Sequence, residues 1–479
     1  MKKLIIFTIA IICAGTLARA QYGNQFQYNS YFKTTGAFEY PSELGTDIRK
    51  VSVNLLGSSM YLGNSIADVN WMYNIATQSM DASNNGTAYL DGANGEQYSI
   101  PHVVLDHIVN NTPETNYLLG GATIYPPLAI AYKLNRKVGE DGEKKEIVTF
   151  SFNHRTRTSA SYYFGKNLFR LIYQGNETFG TDEVNLTDIN LGVHAYHEWV
   201  FGGAFPVIDI KGTMGLRGGF NLKYLNGYGG FKTDNADVFF QSSADGGTWT
   251  FRGNYLINAA YPDPDNIDAG FLTGGIGSGF GLDIGASLQI WKNLKAYMAI
   301  NDIGSIAYGD DHSVNFSSSG EVVFEGVRVN VFSADEITVN YDTLLSKFNP
   351  VETNKGFNIG LPTRFMLGGE FGIGEKETRK GQTYFKHNVY FTYIQGVNRN
   401  PGNSVRPFIN AAYGFRAGNI VSVGVNTGYG GVYGANIGAF LALKGGPVRF
   451  GIASNALLGG LAPSLAKGFD ITFNLGIAI

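Results

Sequence analysis

Apolar and polar positions alternate with a period of two along much of this chain. In GFDITFNLGIAI, residues 468–479, Phe469, Ile471, Phe473, Leu475, Ile477 and Ile479 take one face, and Asp470, Thr472, Asn474, Gly476 and Ala478 the other. Successive side chains of a strand point to opposite sides, so this segment predicts a strand with one apolar face and one small, polar face. The pattern recurs upstream. Val448, Phe450 and Ile452 oppose Arg449, Gly451, Ala453 and Asn455. Tyr433, Ala435, Ile437, Ala439, Leu441 and Leu443 oppose Asn436, Gly438, Ala442 and Lys444. Val421, Val423 and Val425 oppose Ser422, Gly424 and Asn426; Ile409, Ala411, Tyr413 and Phe415 oppose Asn410, Ala412, Gly414 and Arg416. Phe280, Leu282, Ile284, Ala286, Leu288 and Ile290 oppose Gly281, Asp283, Gly285, Ser287 and Gln289. Met214, Leu216, Phe220, Leu222 and Tyr224 oppose Gly215, Arg217, Gly219, Asn221 and Lys223.

A soluble β-sandwich alternates too, so the second face has to discriminate. Facing water, it would carry Lys, Glu and Thr. Here Gly, Ala, Ser and Asn dominate it, as suits a curved wall around a crowded lumen. The apolar face of these segments is free of charge, and one Arg or Lys at a bilayer midplane costs roughly 2–4 kcal/mol. The expected fold is all-β: a transmembrane antiparallel β-barrel of about fourteen strands, with long outer loops and one or two short helices. The strands fall near 51–63, 122–134, 147–164, 189–205, 213–224, 279–290, 294–303, 361–373, 386–395, 406–416, 420–427, 433–443, 448–455 and 468–479. Connections then alternate between a mostly brief set and a longer set, the longest being 64–121, 225–278 and 304–360, with only 428–432 breaking the trend. An even count puts both ends of the barrel on one side. In 64–121, Ile66, Val69, Met72, Tyr73 and Ala76, and then Val104, Leu105, Ile108 and Val109, recur at helical spacing, which predicts a helical loop or plug insert.

Residues 1–20 read as a secretory signal, with Lys2 and Lys3 before the apolar run Leu4–Ala14 and Ala18-Arg19-Ala20 before Gln21. The barrel domain is then 21–479, and export implies the outer membrane. The single cysteine, Cys13, lies inside the leader, so disulfides and cysteine-bound metals are not expected in the mature chain. Losing Lys2, Lys3 and Arg19 moves the net charge from −3 to −6 (33 − 39), which offers no footprint for nucleic acid. The charged fraction is 16%, against about 25% in ordinary soluble domains. Together with 64 glycines and 14% aromatics, this favours a membrane barrel over a soluble secreted β protein.

Candidate chemistry is sparse, and no enzyme is expected. His194-Ala-Tyr-His197-Glu198 has its histidines three apart on a predicted strand, which sends the rings to opposite faces, whereas zinc proteases need them four apart on a helix. Asp263-Pro-Asp265-Asn266-Ile-Asp268 departs from EF-hand spacing and reads as a solvated turn rather than a calcium loop. Gly275-Ile-Gly277-Ser-Gly279-Phe-Gly281 leads into a strand, so no helix N-terminus is there to hold phosphate. No cofactor or metal is expected. By parity the lumen receives Arg155, Arg157, Glu198, Arg217, Asn221, Lys223, Asp283, Glu370, Arg416, Lys444, Arg449 and Asp470. Both signs occur. Either they form a polar track for a solute, or they pair with one another and fill the lumen.

Several stretches resemble one family. Gly279-Phe-Gly-Leu-Asp283-Ile-Gly-Ala-Ser followed by Leu294…Asn301-Asp302-Ile303-Gly304 is similar to a strand pair of a Bacteroidota barrel family carried as a domain of unknown function. Gly360-Leu361-Pro362-Thr363-Arg364-Phe365-Met366-Leu367-Gly368 resembles its "LPT" strand; Leu216–Leu225 and Ala195-Tyr-His-Glu198 resemble others. The resemblance implies an outer-membrane barrel related to the FadL-type and type IX secretion-associated barrels, and brings no catalytic residues. The Asn-Pro-Ala motif of such proteins has its nearest counterpart in Glu39-Tyr-Pro41, and the terminal aromatic common on such last strands is Ile479 here. Two functions stay open. One is passage or uptake of a small, hydrophobic solute. The other is a non-conducting scaffold for a secretion or surface-adhesion apparatus, with partner proteins of that kind. On either, outer-membrane lipid is the surrounding phase.

Overall fold

The computed structural model describes residues 39–478 except 45, 47–49, 69–70, 72–88, 92–96, 126–128, 139–142, 211–213, 263–274, 325–350, 378–382, 419, 458–460 and 462–465. The leader, the Asp263–Asp268 turn, Ile479 and most of the first helical repeat in 64–121 lie outside the described residues.

Fourteen antiparallel staves form one closed wall. They are β1 (Val51–Asn64), β2 (Thr115–Tyr125 with Ala129–Val138), β3 (Glu143–Gly165), β4 (Asn190–Ile210), β5 (Met214–Ser242), β6 (Gly277–Trp291), β7 (Leu294–Tyr308), β8 (Arg364–Glu377), β9 (Thr383–Gly396), β10 (Phe408–Ala417), β11 (Val421–Gly430), β12 (Asn436–Gly445), β13 (Val448–Ser454) and β14 (Gly468–Ala478). The wall closes where β14 pairs with β1, from Ser52↔Ala478 to Gly63↔Gly468. The expected barrel and its strand count are therefore observed.

The alternation maps onto outside and inside. On β14 Asp470, Thr472 and Asn474 are buried while Ile471 is exposed; on β11 Ser422 and Asn426 are buried while Val423 and Val425 are exposed. Leu222 and Ile437 stand outward beside buried Lys223 and Asn436. A continuous apolar exterior around a polar interior inverts the arrangement of a water-soluble protein and is what a hydrocarbon surround requires. One assignment is corrected. Tyr433, read as an outward position of its strand, precedes β12 and is buried inside the barrel, because the chain turns inward through Gly430, Gly431 and Gly434, all at positive φ.

Loop lengths alternate as expected. One end carries 139–142, 211–213, 292–293, 378–382, 418–420 and 446–447; the other carries 65–114, 166–189, 243–276, 309–363, 397–407, 431–435 and 455–467. The long connections hold more order than expected. Residues 115–121, placed in the helical insert, are strand. Within 225–278 and 304–360, β5 continues to Ser242, strand Trp249–Ala260 pairs with it, and strand Ser313–Phe324 pairs with Trp249–Ala260 in turn, raising a rim above the wall. Two helices, α1 (Ile100–Asn111) and α2 (Asn167–Gln174), lie together at this end, where Lys166 Nζ bonds the carbonyls of Val109 and Thr112 at 3.1 Å. Within the described part of 64–121, α1 lies against α2 at the long-loop end.

The lumen is filled from both ends by other segments. At the short-turn end, residues Glu39–Leu44 run inside the wall. Tyr40 packs on Tyr297 with ring centroids 5.2 Å apart, Lys295 Nζ meets Glu43 at 2.7 Å, and Arg217 donates to the carbonyls of Ser42 and Leu44. A Cβ on Gly219 would lie 2.3 Å from the Pro41 carbonyl carbon, so the wall gives this segment room by having no side chain there. At the other end, loop 397–407 folds in. Tyr61 and Tyr163 donate to the carbonyls of Gly402 and Asn403 at 2.7 and 2.8 Å, and Arg406 covers the Tyr117 ring.

Two substitutions test the orientation of the wall. Phe473→Lys and Leu475→Lys each put an ammonium against hydrocarbon at a cost of roughly 2–4 kcal/mol near the midplane. The double variant is expected to lose heat-modifiable gel migration in membrane extracts, whereas Thr472→Ser on the inner face is expected to keep it.

Candidate functional site

At mid-height the lumen holds a buried cluster of charges. Arg155 and Arg157 come from β3, Glu198 from β4, Lys223 from β5, Asp283 from β6, Asp302 from β7 and Arg364 from β8; Glu39 of the inner segment joins them. Arg155 Nε pairs with Glu198, and Arg157 Nη1 reaches Glu198 at 2.7 Å and Asp302 at 2.8 Å. Lys223 Nζ lies 2.5 Å from both Asp283 and Asp302. Arg364 Nη2 lies 3.5 Å from Asp302 and 3.6 Å from Glu39. Asn221 Nδ2 donates to the other oxygen of Asp283 at 3.0 Å. Four cations thus face four carboxylates, and all except Glu39 are at most about one-twentieth exposed. In a low-dielectric interior only such complete pairing offsets the cost of desolvation.

Asp302 is the hub, and local backbone geometry puts it there. Between Leu282↔Ile303 and Ile284↔Ile300 the β6–β7 ladder skips, so Asn301 and Asp302 form a bulge and both side chains turn inward. Asp302 has φ 59°, a left-handed conformation that Asp tolerates, and its N–H donates to Asp283 Oδ1 at 2.7 Å. Gly304 follows at φ 149°, where a Cβ would sit 2.1 Å from the Phe280 carbonyl oxygen.

The other predicted lumen residues lie apart from this cluster. Arg217 pairs with Glu146 at the short-turn end, and Glu370 accepts from the Tyr297 hydroxyl at 2.6 Å. Arg416, Lys444 and Arg449 share the inner face of the same end, where Arg416 covers the Tyr384 ring and Lys444 pairs in register with Arg449. Asp470 sits near the long-loop end, accepting from the N–H groups of Asn455 and Ala456. His194 points into the lumen, while His197 stands on the outer side against Thr156, His154 and Tyr228, so the two rings do lie on opposite faces. Parity does not assign Asp302 or Arg364 to the lumen, although both stand in the stretches that carry the family resemblance. The bulge breaks parity for Asp302, and Arg364 follows Pro362 at a strand start, where no alternation precedes it. Their signal was the Asn-Asp-Ile-Gly and Leu-Pro-Thr-Arg stretches themselves.

Above the charges, toward the long-loop end, lies an apolar and aromatic layer: Tyr196, Leu225, Ala260, Ile306, Tyr308, Ile359 and Leu361, with Ile276 and Phe357 packed against it. The in-folded loop roofs it, since a Cβ on Gly192 would lie 2.7 Å from Pro401 and one on Gly360 would lie 2.4 Å from Asn400. The lumen therefore stacks, from the short-turn end, the inner segment, the charge cluster, the apolar layer and the roof.

Lys223 touches both Asp283 and Asp302, so Lys223→Met leaves two buried carboxylates short of a partner. The expected loss is about 3–5 kcal/mol, read as a lower urea midpoint for loss of heat-modifiable migration. Adding Asp283→Asn is expected to recover part of it.

A profile described as "Family of unknown function (DUF5723)" matches residues 135–455. No curated protein matches the chain in sequence. Solved structures to which it is similar include the toluene transporter TbuX of Ralstonia pickettii, at 9% identity and TM-score 0.39, covering 96% of this chain and 94% of that one. The toluene transporter TodX of Pseudomonas putida gives 7% and 0.38, with coverage of 96% and 94%. A FadL homologue of Pseudomonas aeruginosa gives 10% and 0.37, with coverage of 92% and 93%.

Proposed function

The chain belongs to this family of unknown function, DUF5723, and from its own geometry we propose that it is an outer-membrane barrel that takes up a small hydrophobic solute. The observation that carries the proposal is the apolar layer of Leu225, Ile306, Ile359, Leu361, Tyr196 and Tyr308, which lies directly above the paired charges and beneath the folded-in loop. An apolar layer under a folded-in loop suits a solute leaving water for a drier place. The charge cluster beneath it suits the same task. Its charges are mutually paired, so it presents no free cation or anion to draw an ion through.

The outer-membrane placement rests on the closed strand wall, the apolar exterior and the even number of staves. A non-conducting scaffold for a secretion or adhesion apparatus is the second reading. It is favoured by the Glu39–Leu44 segment wedged between Arg217 and Lys295, which fills the short-turn end.

The full chain, reconstituted in liposomes, separates the two. Uptake predicts that an apolar fluorescent probe such as N-phenyl-1-naphthylamine enters faster than in protein-free liposomes, while planar bilayers show no steady ion current. Entry no faster than in protein-free liposomes removes the uptake reading and leaves the scaffold.

A further inference from the structure

Three polar atoms within the apolar layer have no hydrogen-bond partner among the described residues: Nε2 of His194 and the hydroxyls of Tyr196 and Tyr308. These residues are exposed to only 1%, 1% and 2%. They are neighbours. The His194 ring lies 4.6 Å from that of Tyr196 and 6.0 Å from that of Tyr308, centroid to centroid. A single unsatisfied buried atom is unremarkable, but three on neighbouring rings of β4 and β7 form a group whose hydrogen-bonding capacity the protein leaves unspent. The wall makes space for them. A Cβ on Gly227 would lie 2.5 Å from the Tyr308 hydroxyl, and one on Gly230 would lie 2.3 Å from Ile359 Cδ1.

We infer that this group is the recognition site for a small neutral molecule with a flat apolar body and one hydroxyl or carbonyl, a phenol being the simplest case. The inference rests on the uptake reading and names the ligand class of the same compartment. Neutrality follows from the surroundings. The nearest cation, Arg157, lies 5.6 Å from the centre of the Tyr196 ring and is committed to Glu198 and Asp302, so a carboxylate would have to break that pairing to gain a partner. A cation would face the same guanidinium. The two hydroxyls and the imidazole nitrogen can each complement a donor or an acceptor, which fits a group that is both. A flat body follows from the rings among which these atoms lie, Tyr308 itself lying stacked on Phe357 at 5.4 Å.

Fluorine NMR on the full chain in detergent micelles tests this with 4-fluorophenol, fluorobenzene and 4-fluorobenzoate. Loss of one buried hydrogen bond corresponds to about a tenfold change in affinity. 4-Fluorophenol is expected to bind about tenfold more tightly than fluorobenzene, and 4-fluorobenzoate more weakly than either. In Tyr196→Phe/Tyr308→Phe, which leaves only His194 Nε2, that preference is expected to fall while fluorobenzene binding stays, with heat-modifiable migration as the check on folding. Should the double variant not fold, Tyr308→Phe alone and competition by unlabelled phenol and benzene on the unaltered chain read the same preference. Equal binding of fluorophenol and fluorobenzene overturns the inference and leaves the uptake reading standing. Binding of neither overturns both.

Discussion

Every backbone N–H and C=O that meets hydrocarbon must be bonded to another strand, and this requirement governs the whole architecture. An open sheet would leave two rows of unpaired groups where no water can reach them. Here β1 and β14 meet over most of their length, and no stave at membrane depth is left as an edge. Closure sets the strand count to an even number if the chain is to return to the side where it started, and alternate connections then fall at opposite ends, the long ones gathering at one of them. It also separates the two faces. The outer one has to be apolar everywhere, while the inner one is free to carry charge.

That freedom brings a packing problem. Side chains alone fill a barrel of roughly eight strands, whereas roughly sixteen leave a water channel. Fourteen lie between. The protein fills the difference with backbone: Glu39–Leu44 from below and 397–407 from above, each seated where glycine leaves the wall thin. Between them the charges of six staves and the inner segment gather around Asp302. Because Glu39 belongs to that segment and also faces Arg364, the filling and the wall share one electrostatic unit.

Much of this was legible in the residues. The period of two gave nearly every stave and the direction of nearly every side chain on it, because a curved, two-phase wall tolerates no register slip. The alternation of loop lengths gave the polarity of the barrel. Five of the cluster's charges, Arg155, Arg157, Glu198, Lys223 and Asp283, were readable by parity alone. What escaped were departures from regular strand. Asp302 enters the lumen through a bulge, Arg364 begins a strand after a proline, and Tyr433 lies on a turn whose glycines redirect it inward. The rim strands escaped because they stand above the bilayer, where no lipid imposes alternation. The inner segment escaped because Tyr40, Pro41 and Leu44 carry no periodic pattern; they are held by contacts with residues hundreds of positions away.

The seam between β1 and β14 has a consequence for how the protein is made. Gly63 and Gly468 are partners, so the first stave waits for the last, and nearly the whole polypeptide must be present before the cylinder can shut. Pairings of such sequence separation form slowly. Until then β1 and β14 each offer an unpaired ladder on greasy, weakly charged chain, which is the condition under which strands join to the wrong neighbour. The interval between synthesis of β1 and its pairing with β14 is therefore the one in which both margins stand open, and any delay in delivering the final staves lengthens it.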